Sequence, residues 1–316
     1  MRHSISIVMP VHNENSEFLV RAVNSVLDQS SANWELVIVD DGSDLHTKDI
    51  LRELSMLDQR IRLISFLSGH GVSFARNEGI QNSKYDYIMF LDADDWLTET
   101  AVEKLSGGLS EAMLISFNFK VETKDGYLSA LNHKFQSEIK ATSKLSSENA
   151  LKELFNGRLR HLVYGYVFPK DKLISNPFPD GIKYGEDYAI MYKIILDVDF
   201  VYTTPDVLYH HFDNSDSVMN SPKLVHAKNL LSISNEIRTF FSNTKYSEMK
   251  LVYSYIMPRV VNALGISVKS GHRLYLNDYI DLPLIAYFTL SFRDWIKLIS
   301  IQTGLFKLRL CLKMYR

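Results

Sequence analysis

The chain has 316 residues, 46% hydrophobic and 23% charged, with a formal net charge of −2. These are the proportions of a globular protein with room for one large α/β domain and an extension, and they exclude a disordered or fibrous chain and a global basic field for nucleic acid. The single cysteine, Cys311, excludes an internal disulfide framework and a Cys-rich zinc site, which fits a reducing compartment.

The amino terminus, MRHSISIVMPVHNE, is too quickly polar for a secretory signal and reads as the first strand, Ser4 to Val11, followed by the polar loop His12-Asn13-Glu14-Asn15. A helix follows, with Phe18, Leu19, Ala22, Val23, Val26 and Leu27 on the buried face and Arg21, Asn24 and Asp28 outward. Residues 35–39 form a second buried strand that ends in Asp40-Asp41-Gly42-Ser43-Asp44. Residues 46–58 suit a helix, 61–66 a third strand, and Gly69-His70-Gly71 opens a further segment, Val72 to Gln81, that contains Arg76.

The stretch YDYIMFLDADDW organises the rest. Its apolar run, Tyr87 to Leu91, fits a buried strand and stops at Asp92, Asp94 and Asp95. Carboxylates this close repel and raise one another's pKa, so a cation would neutralise the cluster, and oxygen ligands of this kind suit magnesium or manganese completed by water and substrate phosphates. The competing reading is that Asp94 or Asp95 caps a helix beginning near Thr98. Alternation of strand and helix indicates a mostly parallel sheet flanked by helices, in which ligands bind outside the carboxyl ends of the strands. The loops at 10–14, 40–44 and 92–95 share that edge.

Beyond this half, Met113 to Val121 reads as a strand, 146–156 as a helix capped by Ser147, and Leu162 to Phe168 as an aromatic strand. Glu186 and Asp187 precede the helical periodicity of Ala189 to Leu196, where first-turn acids serve helix stability as readily as catalysis. Phe200 to Val207 reads as a last strand, leaving His210 and His211 in a polar loop as metal ligands, phosphate contacts or plain surface histidines. From about Pro222 the chain is helical. No window is expected to reach the ~20 apolar residues of a membrane-spanning helix. The tail from Arg293 to Arg316 is basic and amphipathic, a pattern shared by interfacial membrane helices and by a closing helix packed on the core.

Taken in order, IVMPVHNE, ELVIVDDGSD, GVSFARNEGI, YIMFLDADD and YGEDYA resemble the family-2 glycosyltransferases of the GT-A fold. The resemblance implies a GT-A catalytic domain over 1–220, with a nucleotide-binding half at 1–95 and an acceptor half at 96–220, and a helical carboxyl-terminal extension at 221–316. It implies a nucleoside-diphosphate-sugar donor and a divalent metal, Mn²⁺ or Mg²⁺. Pro10, Val11 and Glu14 would line the nucleoside pocket, with His12 where these enzymes often carry tyrosine. Asp41 would hydrogen-bond the base, and Arg76 would sit beside the base or diphosphate. Asp92 and Asp94 form the DxD motif; one of them, or Asp95, would contact the ribose while another holds the metal, with His211 as a further ligand or diphosphate contact. Asp187 would be the general base and Glu186 its neighbour.

The function expected from this resemblance is inverting, metal-dependent transfer from a UDP-sugar to a glycan or lipid-linked acceptor in cell-surface polysaccharide synthesis. The place expected is the cytoplasm, at the inner face of the membrane, with peripheral contact to anionic lipid through the basic tail. The alternative is a catalytically silent nucleotide-sugar-binding partner subunit of another transferase. A nicotinamide-binding Rossmann enzyme is excluded by the missing third glycine after Gly69-His70-Gly71, and a P-loop ATPase by the absence of GxxxxGK[ST].

Overall fold

Apolar runs that are buried on both faces become the central parallel strands, and the segments between them become amphipathic helices. The computed structural model describes residues 3–108, 113–123, 139–182, 184–213, 223–244, 248–272, 274 and 279–302. In chain order the first unit contains β1 (Ile5–Val11), α1 (Ser16–Leu27), β2 (Trp34–Asp40), α2 (Leu45–Ser55), β3 (Ile61–Ser65), α3 (Val72–Asn82) and β4 (Tyr87–Phe90). There follow β5 (Trp96–Leu97), α4 (Ala101–Gly108), β6 (Met113–Glu122), β7 (Ser143–Ser146), α5 (Ser147–Phe155), a 3-10 turn (Val163–Gly165), β8 (Tyr166–Pro169), α6 (Lys170–Ser175), α7 (Glu186–Asp197) and β9 (Phe200–Phe212).

Among the described residues these strands form one sheet of nine, in the order β3-β2-β1-β4-β8-β6-β9-β5, with β7 paired to β9. The first four strands are parallel, as the sequence predicts, whereas β8 runs antiparallel to β4 and β6, and β9 is parallel to β6 but antiparallel to β5 and β7. The sheet is therefore mixed. Because β8 pairs with β4, the stretches expected as separate halves, 1–95 and 96–220, share one sheet. The register between β6 and β9 slips around Asn118, whose side-chain amide donates to the carbonyls of Pro205 (3.0 Å) and Ile139 (2.8 Å).

The helices start where the sequence has caps. Asn15 accepts from Glu17 N (2.8 Å) ahead of α1, and Asp44 accepts from Thr47 N (2.8 Å) ahead of α2. α3 lies close on β1, and a Cβ at Gly79 would come within 2.3 Å of Val8 Cγ1, so only glycine permits that approach.

By contacts the chain divides into Met1–Glu153, Arg158–Gly181 and Glu186–Ser215 as one unit, and Leu154–Gly157, Ile182–Gly185 and Asp216–Arg316 as another. In the second unit, α8 (Leu224–Asn243) and α9 (Met249–Lys269) pair, and α10 (Leu284–Tyr287) and α11 (Phe292–Gln302) pack on α9. Against the sequence expectation, α9 is long and apolar enough to cross a membrane, but 67% of its apolar window is buried inside the protein and Pro258 interrupts it. The basic residues of the tail from Lys307 onward, and Cys311, lie outside the described residues.

Candidate active site

Three loops leave the carboxyl edge of β1, β2 and β4 side by side, because β1 is hydrogen-bonded to both of the others, with Val11 opposite Asp40 and Val8 opposite Phe90. This is the crevice position of an open α/β sheet. Pro10, opposite Val39, and the buried Val11 form its floor. Asp41 lies at the end of β2, and its buried carboxylate accepts the backbone N–H of His70 (2.8 and 3.0 Å) and of Gly71 (2.6 Å). Gly71 caps α3 without a side chain, so Asp41 supplies from another strand the negative charge that a helix N-terminus favours.

Around it the loops are latched to one another. His12 Nδ1 is 2.7 Å from the Asp41 carbonyl, Asn13 N donates to Ser43 Oγ (3.0 Å), and Asp44 N donates to Asn13 Oδ1 (2.8 Å). Gly42, at φ +70°, lets the backbone at 68–69 approach, since a Cβ there would meet Ser68 C at 2.3 Å. The rings of His12 and His70 are exposed at this end.

The second cluster is built on Arg76, which is 4% exposed. Its Nη1 donates to Glu186 Oε1 (2.8 Å) and Asp187 Oδ1 (3.1 Å), and its Nη2 to Asp92 Oδ1 (3.2 Å). One guanidinium thus joins the end of β4 to the first turn of α7, where Glu186 lies 110 residues after Arg76 in sequence. Asp187 Oδ2 also accepts Val163 N (3.1 Å), which is why the aromatic strand expected over 162–168 begins as a 3-10 turn and pairs only from Tyr166. Burial and the neighbouring Glu186 push the Asp187 pKa well up, with Arg76 opposing. Burial would lower the Arg76 pKa, but Asp187, Asp92 and Glu186 outweigh it and hold the guanidinium charged. Glu186 and Asp187 stand in a helix first turn, as one of the two sequence readings has it, and both also pair with the buried Arg76.

The third cluster brings β9 to the DxD stretch. The histidines expected in a loop lie on β9, which runs through Phe212 because 207–212 pairs with both β5 and β6. Side chains alternate on a strand, so the two rings part. His210 stacks on Trp96 (5.0 Å, 7°), with Nδ1 2.7 Å from Glu122 Oε1. His211 Nδ1 is 3.1 Å from Asp95 Oδ2, and its ring stacks on Tyr164 (5.2 Å, 10°).

Asp95 is fully buried and also accepts Phe212 N (2.7 Å) and the Tyr209 hydroxyl (2.5 Å), while that hydroxyl lies 3.1 Å from Asp92 N as its acceptor. Its carboxylate is thus committed to β9, and neither it nor Asp94 caps α4, which begins at Ala101 after the short strand β5. Burial pushes the Asp94 pKa up to about 8, helped by Asp95, Asp92 and Glu14 and opposed by His211. Glu14, raised by burial and by Asp95 and Asp92, stands close enough to feel the same field. Burial alone would lower the His211 pKa, but Asp95, Asp92 and Asp94 outweigh it and carry it up to about 9.

Besides Pro10 and Val11 at the end of β1, the residues expected at the site gather in two groups: His12 and Asp41 at one end; Glu14, Arg76, Asp92, Asp94, Asp95, Glu186, Asp187 and His211 at the other. Sequence reasoning missed Arg21, placed outward by helical periodicity. Its guanidinium lies over the Trp96 ring (4.0 Å) and its Nη2 donates to the Asp94 carbonyl (2.5 Å). It also missed Tyr164 and Tyr209, since nothing local to either residue announces the stack they form (5.0 Å, 15°) beside His211.

Among the described residues no group of three or more His, Cys, Asp and Glu is already arranged to hold a metal ion. The donor set nonetheless suits Mg²⁺ or Mn²⁺, which take one or two carboxylates and complete their shell with water and substrate phosphates. A buried carboxylate at Nδ1, as Asp95 is to His211, holds an imidazole in place with its other nitrogen free to face a metal.

Comparison with known proteins gives the family and the fold. Residues 6–161 match Glycosyl transferase family 2. The chain is 30% identical over 195 residues to the UDP-Glc:alpha-D-GlcNAc-diphosphoundecaprenol beta-1,3-glucosyltransferase WfgD of Escherichia coli, covering 61% of this chain and 70% of WfgD. It is 32% identical over 161 residues to TuaG of Bacillus subtilis, which are 50% of this chain and 61% of TuaG. Among solved structures, S. aureus TarS 1-349 in complex with UDP-GlcNAc superposes with a TM-score of 0.62 at 17% identity, over 83% of this chain and 80% of that one, and so shares the fold. With residues 6–161 matching the family and a relative 30% identical over 70% of that relative's length, this chain belongs to glycosyltransferase family 2.

Proposed function

We propose that this chain is an inverting glycosyltransferase that moves a sugar from a UDP-sugar to a hydroxyl of a glycan or lipid-linked glycan, in cell-surface polysaccharide synthesis at the cytoplasmic face of the membrane. The observation that carries the reading is Arg76, which holds Asp92 of the DxD and the Glu186–Asp187 pair on one guanidinium. The group that would handle the departing diphosphate and the group that would take the acceptor proton are then both bonded to a single cation, Asp92 through Nη2 and Asp187 through Nη1.

Each residue has a task. Asp94, Asp92 and His211 would hold Mn²⁺ or Mg²⁺, whose charge when bound stabilises the negative charge growing on the leaving diphosphate. Asp187 receives the hydroxyl proton; burial strengthens it as a base, while Arg76 and Val163 N fix its orientation. One base and one displacement invert the anomeric carbon. Asp41 and the exposed rings of His12 and His70 would receive the nucleobase at the other end. The UDP donor and the lipid-linked acceptor are supported by the UDP-GlcNAc complex of TarS and by the name of WfgD, respectively.

Thermal unfolding with UDP and Mn²⁺ tests the donor half. A ligand at 100 times its Kd adds ~2.7 kcal/mol, a rise of a few degrees for a chain this size, and Asp94→Asn should abolish it. The base is tested by Asp187→Asn, which should keep that shift and lower turnover by roughly 10²–10⁴-fold. Nucleotide binding with no sugar transfer in the unsubstituted protein would instead identify a silent partner subunit.

A further inference from the structure

In the second unit the last described helices show the densest exposure of large apolar side chains among the described residues. α10 and α11 pack on α9 through Ala286, Leu290, Leu298 and Ile301. They leave outward Leu284 (73% exposed), Ile285 (51%), Phe288 (71%), Phe292 (81%), Ile296 (38%) and Ile299 (49%). Within α11, Phe292, Ile296 and Ile299 follow the i, i+4, i+7 spacing of one helix face. A globular domain normally turns such a face inward, and an exposed one marks an interaction surface. None of this depends on the donor chemistry of the first unit.

Two further observations select the partner. Arg293 is exposed next to Phe292, and the sequence continues with Lys297, Lys307, Arg309, Lys313 and Arg316 against a single acid, Asp294, in a chain whose net charge is −2. That acid is occupied as part of a helix start, with Ser291 Oγ donating to its Oδ2 (2.7 Å). Tyr287 and Trp295, half-buried and in ring contact (6.3 Å), join the two helices. Apolar side chains bordered by cations and by Tyr and Trp, whose rings favour the headgroup level, match the boundary of an anionic bilayer. A second copy meeting this face through a two-fold axis would bring like charges together.

We propose that the face of α10 and α11 that carries Phe288 and Phe292 is an interfacial docking surface for anionic lipid, with these side chains entering the headgroup boundary and Arg293 meeting the lipid charge. It refines the membrane contact expected of the basic tail, because α11 (Phe292–Gln302) carries the tail's first cations, Arg293 and Lys297.

The test is co-sedimentation of the full chain with vesicles of equal parts phosphatidylglycerol and phosphatidylcholine, against vesicles of phosphatidylcholine alone. The protein should sediment with the anionic vesicles and lose binding as salt rises. The double substitution Phe288→Ser and Phe292→Ser should weaken binding roughly tenfold or more, with unchanged melting temperature, because both side chains are already exposed. Arg293→Glu should weaken binding to the anionic vesicles alone. Failure to bind at low salt, or binding that the double substitution leaves intact, overturns the proposal. So does a dimer in solution that the double substitution dissociates, which would make this face a contact between copies.

Discussion

The two ends of the site are built on opposite principles. At the base end, Asp41 is held by backbone N–H groups of His70 and Gly71, and the surrounding loops are latched through neutral groups. At the acidic end four charged side chains hold each other, with Arg76 and Asp187 buried and Asp92 and Glu186 partly buried. The first end gains little from any one contact and presents its rings to solvent. The second concentrates its energy in one residue, because a buried charge with its partner removed is far more costly than an unmade surface contact. The proposed reaction, reversible binding of a nucleotide and transfer of a proton at one defined atom, would use both.

The sharpest way to break this contrast is at Arg76. Replacing it by Met keeps volume but leaves three carboxylates facing one another, and unfolding in denaturant should show a loss of about 3–5 kcal/mol, with turnover abolished. A loss no greater than that of an exposed arginine would remove the distinction between the two ends. At the base end Asp41→Ala should cost less, about 1–3 kcal/mol, since water can reach the two N–H groups it strands, and UDP binding should suffer more than stability does.

The smallest expected effect is in pH dependence, and it belongs to the acidic end. The folded protein holds a proton on Asp94 up to about pH 8 that the unfolded chain releases near 3.8, so folding loses stability as pH rises through that range. His211, raised from 6.5 to about 9, contributes stability that is complete below 6.5 and lost as pH rises through 9. Both signs agree. Without metal, the melting temperature should fall by roughly a few degrees between pH 6.5 and 9. Stabilisation by Mn²⁺ should grow over the same interval, because the cation displaces the proton from Asp94. A melting temperature that rises with pH would reverse the assignment.

Much of this was legible beforehand, and the reason differs from element to element. β1, β2 and β4 announced themselves as apolar runs, and His12, Asp41, Asp92 and Asp94 follow them directly, so strand period and sheet topology alone bring them to one edge. Glu186 and Asp187 were visible as a first-turn pair, which the helix dipole explains as well as the catalytic role implied by the resemblance; that Arg76 reaches both was not visible. The histidines were misplaced because a strand of 13 residues through Pro205 and Asp206 does not look like one locally; its continuation depends on pairing with β5 and β6.

Arg21, Tyr164, Tyr209 and the commitment of Asp95 to β9 form the part that no local pattern could supply. By itself the sequence determined the family motifs, the parallel half of the sheet and the edge at which the acids collect, because each of these follows from periodicity within a few turns of chain. Only the tertiary structure decided which acid pairs with which cation, which histidine meets Asp95 and which apolar residues of α10 and α11 stay outside. Those choices rest on contacts between segments far apart in sequence, and burial, which sets their energies, exists only once the chain has folded.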